Sequence, residues 1–188
     1  MTPFTRSIRL VGWCCAAILI AVATLLLTVA KPKAVAAPGG SAGTVGGLEY
    51  HVVLGRPVDP ANPVDARIVK GLGDRKVPKR DVLFGAFVSV TNPSHRPLIS
   101  AARIDLRDDA MRVYRPLSLP EANRFAYRPV RLAPGATVPR QRTPAADNLA
   151  AGGRLLLYRV PAWQYRNGTF ELIVHDPARP ASTRTIVF

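Results

Sequence analysis

The hydrophobic pattern of this chain changes character twice. Residues 11–30, VGWCCAAILIAVATLLLTVA, form an apolar run without a single charge. At about 1.5 Å rise per residue such a run makes a helix about 30 Å long, the hydrocarbon thickness of a bilayer. The pattern predicts one N-terminal transmembrane helix or signal anchor over 11–30, behind a short cytoplasmic head at 1–10. Residues 31–47, KPKAVAAPGGSAGTVGG, then lose all periodicity and read as a flexible linker. From Leu48 to Phe188 the texture becomes short alternating runs cut by Pro, Gly and Asn.

The clearest run is Val82–Thr91. Val82, Phe84, Ala86, Val88 and Val90 share one face, and Leu83, Gly85, Phe87, Ser89 and Thr91 share the other. That is the period of two expected of a strand buried on one side. Leu98–Leu106 reads as another strand, with Leu98, Ala102, Ile104 and Leu106 inward and Arg103 and Asp105 outward. Further strands are predicted at Tyr50–Leu54, Arg112–Leu117, Arg154–Val160, Phe170–Val174 and Thr183–Phe188, with a short one at Ile68–Val69. Turn chemistry separates them: Asn92-Pro93-Ser94, Asp108-Asp109, Pro134-Gly135 and Asn167-Gly168. Only Thr143–Ala151 suggests a helical turn. So many short strands predict an all-β fold, an antiparallel β-sandwich domain over 48–188, long enough to bury a core without disulfides.

The order of particular segments adds to this. LFGAFVSVTNPS (Leu83–Ser94) is followed by IDLRDD (Ile104–Asp109), VYRPL (Val113–Leu117), LAPG (Leu132–Gly135) and LLLYRVP (Leu155–Pro161). This order resembles the telokin-like, immunoglobulin-like domains found outside the membrane in many Gram-positive and actinobacterial lipoproteins and secreted antigens. The resemblance implies an immunoglobulin-like sandwich, an extracytoplasmic location and no known catalytic residues. It does not supply the mode of anchoring, because this chain has an apolar segment where those proteins have a lipidation cysteine. Fold alone gives no function.

Cys14 and Cys15 are the only cysteines and lie inside the apolar run, where they read as small apolar residues. Cys14 follows Trp13 rather than a small residue, which argues against lipidation. The apolar core exceeds the roughly 7 to 15 residues of a cleaved secretory signal, so a retained anchor in the cell membrane is expected. Cleavage after Ala36, in the Ala34-Val35-Ala36 pattern, is the alternative and would release a secreted domain. Arg6 and Arg9 precede the run and Lys31 and Lys33 follow it, so charge orients it only weakly, head inside and body outside.

The formal net charge is +14, of which +10 remains on the body once those four cations are removed, since no acidic residue precedes Glu49. Arg112, Arg115, Arg124, Arg128, Arg131, Arg140 and Arg142 face Glu121 alone in their stretch. Guanidinium forks suit phosphate and carboxylate oxygens, so Arg112, Arg115, Arg124, Arg128 and Arg131 are candidate binding residues for anionic lipid, wall polymer or an acidic protein. The opposing reading is a solvated, arginine-biased surface with local pairs to Asp105, Asp108 or Asp109. Nucleic acid is not expected, because the pattern matches no nucleic-acid module. Trp163 and Tyr165, in PAWQYRNG, lie in a predicted loop and form either an aromatic platform for a sugar or peptide or a cap on the core.

Catalytic patterns do not emerge. His51, His95 and His175 lack metal-ligand spacing and read as strand-face and turn residues. Asp59, Asp65 and Asp74 lack the alternate-oxygen spacing of a calcium loop, and no serine sits in a nucleophile elbow. The sequence therefore points to a membrane-anchored, extracytoplasmic binding domain that is not an enzyme and has no metal or cofactor. An accessory subunit of a larger membrane complex is the alternative.

Overall fold

A computed structural model describes residues 41–72, 77–140 and 152–188. The predicted membrane segment at 11–30, the head before it, linker residues 31–40, Asp74, Arg142 and the helical turn at Thr143–Ala151 lie outside the described residues. Among the described residues no helix is long and apolar enough to cross a membrane. In chain order the elements are β1 (Ser41–Val45), β2 (Leu48–Pro57), α1 (Pro63–Ile68), β3 (Asp81–Thr91), β4 (Leu98–Ile99), β5 (Ile104–Asp108), β6 (Val113–Tyr114), β7 (Arg131–Leu132), β8 (Thr137–Val138), β9 (Arg154–Pro161), α2 (Ala162–Asn167), β10 (Phe170–His175) and β11 (Thr183–Val187).

The described residues are mostly β-strand with two short helices, an all-β body in which every named strand pair is antiparallel. The first sheet runs β1-β2-β3, and β3 pairs on its other side with β9 along most of its length and with β8 near its end. The second runs β11-β10-β5-β6, and β4 pairs with β7 as a small separate ribbon. The main core lies between the two large sheets: Tyr50, Val52, Phe84, Ala86, Val88, Val90, Leu156 and Tyr158 meet Ile104, Leu106, Phe170, Leu172, Val174 and Ile186. One end of this core is closed by aromatic packing, with Phe84 centred 4.9 Å from Phe170, 6.1 Å from Phe188 and 6.2 Å from Tyr165.

Several segments differ from the sequence pattern for physical reasons. β3 is buried on both faces rather than one, because Leu83 and Phe87 enter a second apolar cluster with Val58, Ile68, Leu119, Leu155 and Leu157. Ile68 ends a helix instead of forming a strand. Asn62 accepts a hydrogen bond from Val64 N at 2.9 Å and Pro63 opens the first turn, a strong N-terminal signal. Residues 41–47 belong to the sheet rather than to a linker, since Ser41–Val45 pair with Leu48–Val52 around Gly46 and Gly47, both at positive φ.

Leu98–Leu106 is two strands in two sheets, with Ala102 exposed between them. Asp105 does lie on the face of β5 opposite the core residues, yet it is buried: Arg103 Nε reaches it at 2.7 Å and His175 Nε2 at 3.1 Å. Only Val113 and Tyr114 of Arg112–Leu117 pair as strand, and the predicted loop at Trp163–Tyr165 is α2.

Buried polar side chains fasten the segments that lack regular pairing. Asn92 Nδ2 donates to the carbonyls of Arg96, Leu132 and Ala133 at 2.9, 3.0 and 3.2 Å, while its Oδ1 accepts from Ser94 N and Oγ. Asn123 does the same for the cover over Leu83 and Phe87, donating to the carbonyls of Ile68 and Lys70 and accepting from Phe125 N and Ala126 N. Tyr50 Oη accepts from Ala101 N, Tyr127 Oη donates to Ala101 O, and Tyr158 Oη donates to Ile104 O. Arg56 grips Asp65 with two bonds of 2.6 and 3.0 Å, and Asp59 N adds a third at 2.9 Å.

Two predictions follow from these clamps. Asn92→Ala should lower unfolding free energy by about 3 kcal/mol in urea denaturation, because several buried main-chain groups lose their partner at once. Asn92→Asp should be at least as damaging, since a carboxylate cannot donate to carbonyls; a midpoint near wild type for either variant would refute this role. Burial opposes ionisation of Asp65, but the Arg56 guanidinium and the Asp59 amide outweigh it and hold its carboxyl below the ordinary value. The unfolded chain therefore binds the proton first, and the Asp65 contribution is lost as pH falls from about 4 through the depressed native value. Asp65→Asn should cost about 3 kcal/mol at neutral pH and flatten the acid limb of the stability curve.

Candidate functional site

The turn between β5 and β6 is built by one carboxylate. Asp108 is buried, and its Oδ1 accepts from Arg112 N at 2.8 Å while Tyr114 Oη donates to Oδ2 at 2.7 Å. Main-chain bonds join Met111 N to Asp108 O at 3.0 Å and Asp108 N to Arg112 O at 3.1 Å. Met111 takes a positive φ of 61° to complete the turn, a conformation that costs a non-glycine residue energy and persists only when its surroundings hold it. The result is that Met111 and Val113 stand 65% and 50% exposed on either side of Arg112.

α2 packs beside this turn. Gln164, buried, donates from Nε2 to Asp109 Oδ1, and Gly168 leaves the space that the Gln164 side chain occupies. Tyr165 turns into the core against Phe84, and burial raises its hydroxyl pKa. Trp163 turns the other way and is 51% exposed, with the Arg112 guanidinium 4.8 Å from its ring centroid. The two aromatics thus do not form a shared platform: one caps the core and the other faces solvent under a cation. A guanidinium over an exposed indole, flanked by two apolar side chains, is the composition of an interaction hot spot.

The remaining candidate arginines are placed elsewhere. Arg115 is exposed just after β6. Arg128 donates through Nη2 to the carbonyls of Leu119 and Pro120, closing the 116–129 segment on itself. Arg124 lies over the ring of Phe125 at 5.2 Å, and its carbonyl accepts from Arg154 Nη1. Arg131 is on β7, in the ribbon at the opposite end from α2. The structure therefore brings Arg112 together with Trp163 but does not gather the five arginines into one patch. Asp105 pairs with Arg103 and Asp108 with the Arg112 main chain, as local pairing would have it.

Beside Arg128 a cleft opens between β5, β9 and the 116–129 segment, lined by Ile104, Leu117, Ser118, Leu119, Tyr127 and Leu155 among others. Its volume of about 160 Å³ admits one side chain and falls short of the roughly 300 Å³ at which small-molecule pockets begin. Among the described residues no three metal-ligating side chains converge. Asp105 and His175 meet at 3.1 Å on the outer face of the second sheet, with Arg103 as the third member of that cluster.

Sequence reasoning singled out Arg112 and Trp163 but missed Met111, Val113, Asp108 and Gln164. Asp108-Asp109 signalled a turn, though nothing in the pattern told which side chains the turn would project. Gln164 left no signal.

No family model matches the chain, and no curated protein matches it in sequence. Similarity appears only in solved structures. The lipoprotein candidate ycdA of Bacillus subtilis superposes with a TM-score of 0.53 at 10% identity, over 80% of this chain and 39% of that one, so the match spans well under half of ycdA. A conserved hypothetical protein of Bacillus anthracis has a TM-score of 0.46 at 15% identity, over 83% of this chain and 96% of that one. A functionally unknown protein of Listeria monocytogenes EGD-e has a TM-score of 0.45 at 16% identity, over 78% of each chain. At these identities the likeness to ycdA speaks for the fold alone.

The corner carries its own test at alkaline pH. Burial first, and then the bond to the Asp108 carboxylate, push the Tyr114 hydroxyl from 10.0 up to about 12. The unfolded chain loses this proton at lower pH than the folded one, so the Tyr114 contribution declines as pH rises across that interval. Tyr114→Phe should lose about 1 kcal/mol at neutral pH and show a shallower alkaline decline in thermal melts. A decline as steep as wild type would disconnect Tyr114 from the turn.

Proposed function

We propose that this chain is a membrane-anchored, extracytoplasmic recognition protein whose body is an immunoglobulin-like sandwich of the telokin-like type and performs no catalysis. The observation that carries this reading is the α2 corner: an indole held half in solvent beneath a guanidinium, on a turn fixed by a buried carboxylate. Trp163 is exposed together with Met111 and Val113 rather than singly, and grouped exposed apolar side chains mark interaction surfaces. The unbroken apolar run at 11–30 supports placement in the envelope. The description of ycdA, one of the structural neighbours, as a lipoprotein candidate is in keeping with such a placement.

The partner chemistry is anionic. Arg112 is exposed at the corner, and the excess of arginine across the body favours encounter with phosphate- or carboxylate-bearing envelope material. A second reading, an accessory subunit on a larger membrane complex, draws on Met111, Val113 and Val187, which give the same end an apolar margin.

Two measurements test the proposal. Protease added to intact cells should degrade the body while it remains cell-associated; a protected body refutes an extracytoplasmic site, and a body released to the medium indicates the cleaved, secreted form. Binding of the full chain to anionic envelope fractions should weaken with salt, and Trp163→Ala or Arg112→Gln should each weaken it about tenfold. Salt-insensitive co-purification of one stoichiometric partner would favour the accessory-subunit reading instead.

A further inference from the structure

We propose that the α2 corner is a lipid-contact surface, with Trp163, Met111 and Val113 entering the interfacial layer of an anionic bilayer and Arg112 and Arg166 engaging its phosphates. This rests on the membrane-anchored reading above and names the partner for that site.

The first support is the distribution of exposed apolar side chains. Of the eight large ones exposed among the described residues, Met111, Val113, Trp163 and Val187 are at this end. Val113 and Val187 lie at the two margins of one row across the second sheet, through Arg107 and Glu171. Between those margins the row is neutral, because Arg107 and Glu171 form an ion pair with each other. The other carboxylates on the turn are engaged: Asp108 by Tyr114 and the Arg112 amide, Asp109 by Gln164. Arg112 and Arg166 are exposed, and Lys79 and Arg80 are exposed where Ala162 N bonds Arg80 O at the start of α2.

The chemistry of the corner suits a headgroup layer better than bulk water or a protein interior. Indole is favoured at the level of lipid headgroups, where its ring is apolar and its edge is wet. Arginine pairs with phosphate through two parallel bonds while its planar face stays on the ring. Met111 on the fixed turn and Val113 on β6 add apolar area without a main-chain ordering penalty on binding.

The second support is the reach of the chain. β1 starts opposite Val52, midway along β2, and runs toward the Gly46–Gly47 turn, away from the α2 end, where Pro57, the last residue of β2, pairs with Phe84 near the start of β3. Ser41, where β1 begins, is thus about five residues' length along the sheet from the α2 end. Only ten residues, 31–40, separate β1 from the apolar run, and ten residues span at most about 36 Å. A bilayer holding that run is within reach of this corner, and a tether of such length raises the effective concentration of a weak contact into the useful range.

The test uses the full chain with Trp13→Phe, which leaves Trp163 as the sole tryptophan. The protein is reconstituted into vesicles of phosphatidylcholine alone or with an equal part of phosphatidylglycerol, each with and without brominated acyl chains, and flotation is run on the same samples. The expected result is quenching and a blue shift of Trp163 in the brominated anionic vesicles. Adding Arg112→Gln and Arg166→Gln should reduce the bound fraction of the corner about tenfold without altering flotation. A chain that floats while Trp163 stays unquenched overturns lipid contact but leaves the anchor standing. A chain that neither floats nor shows quenching overturns both. Equal quenching in the zwitterionic vesicles overturns the requirement for an anionic bilayer, and shielding of Trp163 from iodide in native membranes without bromolipid quenching assigns the corner to a protein partner.

Discussion

A strand apolar on both faces must be covered twice, and that requirement at β3 organises the whole body. Phe84, Ala86, Val88 and Val90 are covered by the second sheet, and Leu83 and Phe87 by α1 and the 116–128 segment. Each such Phe or Leu is worth about 1.5–3 kcal/mol when removed from water, so neither face is dispensable. The first cover is regular, because a sheet satisfies its own main chain. The second is irregular, and its peptide groups need partners of another kind.

That need explains where the buried polar side chains sit. Asn123 bonds to both halves of the irregular cover, and Asp65, gripped by Arg56, anchors the helix that forms the rest of it. Asn92 performs the same service where β3 ends and the chain must turn toward β4 while receiving the Leu132–Gly135 turn. The arginines share in this work. Arg128 and Arg154 bond to main-chain carbonyls, Arg56 and Arg107 hold carboxylates, and Arg103 shields Asp105. Part of the arginine content thus fastens loops while still contributing its charge to the surface.

The all-β class and most strand positions were legible in the sequence because alternation survives burial on one side. The two-sided burial of β3 was not, since Gly85 and Ser89 interrupt the second face and Leu83 and Phe87 alone do not announce a second cluster. α1 was hidden by its length: six residues hold too little periodicity, although Asn62-Pro63 carried the capping signal. The Ser41–Val45 strand places only Val45 in the core and otherwise joins the sheet through main-chain bonds to β2, which composition does not reveal. At the candidate site, Arg112 and Trp163 could be nominated singly. Their stacking depends on a turn set locally by Asp108 and on a helix that Gln164 ties to Asp109, fifty-five residues away.

Rigidity gives the α2 corner its meaning. Behind Trp163, Phe84 gathers Tyr165, Phe170 and Phe188 into a plug that fixes the helix from within. In front, Met111 is kept at positive φ by three groups of bonds to Asp108 and its neighbours. A floppy loop bearing the same side chains would fold them back against the body to escape water. Here the backbone denies them that route, so their exposure is built into the fold and is relieved only by something that comes to meet it.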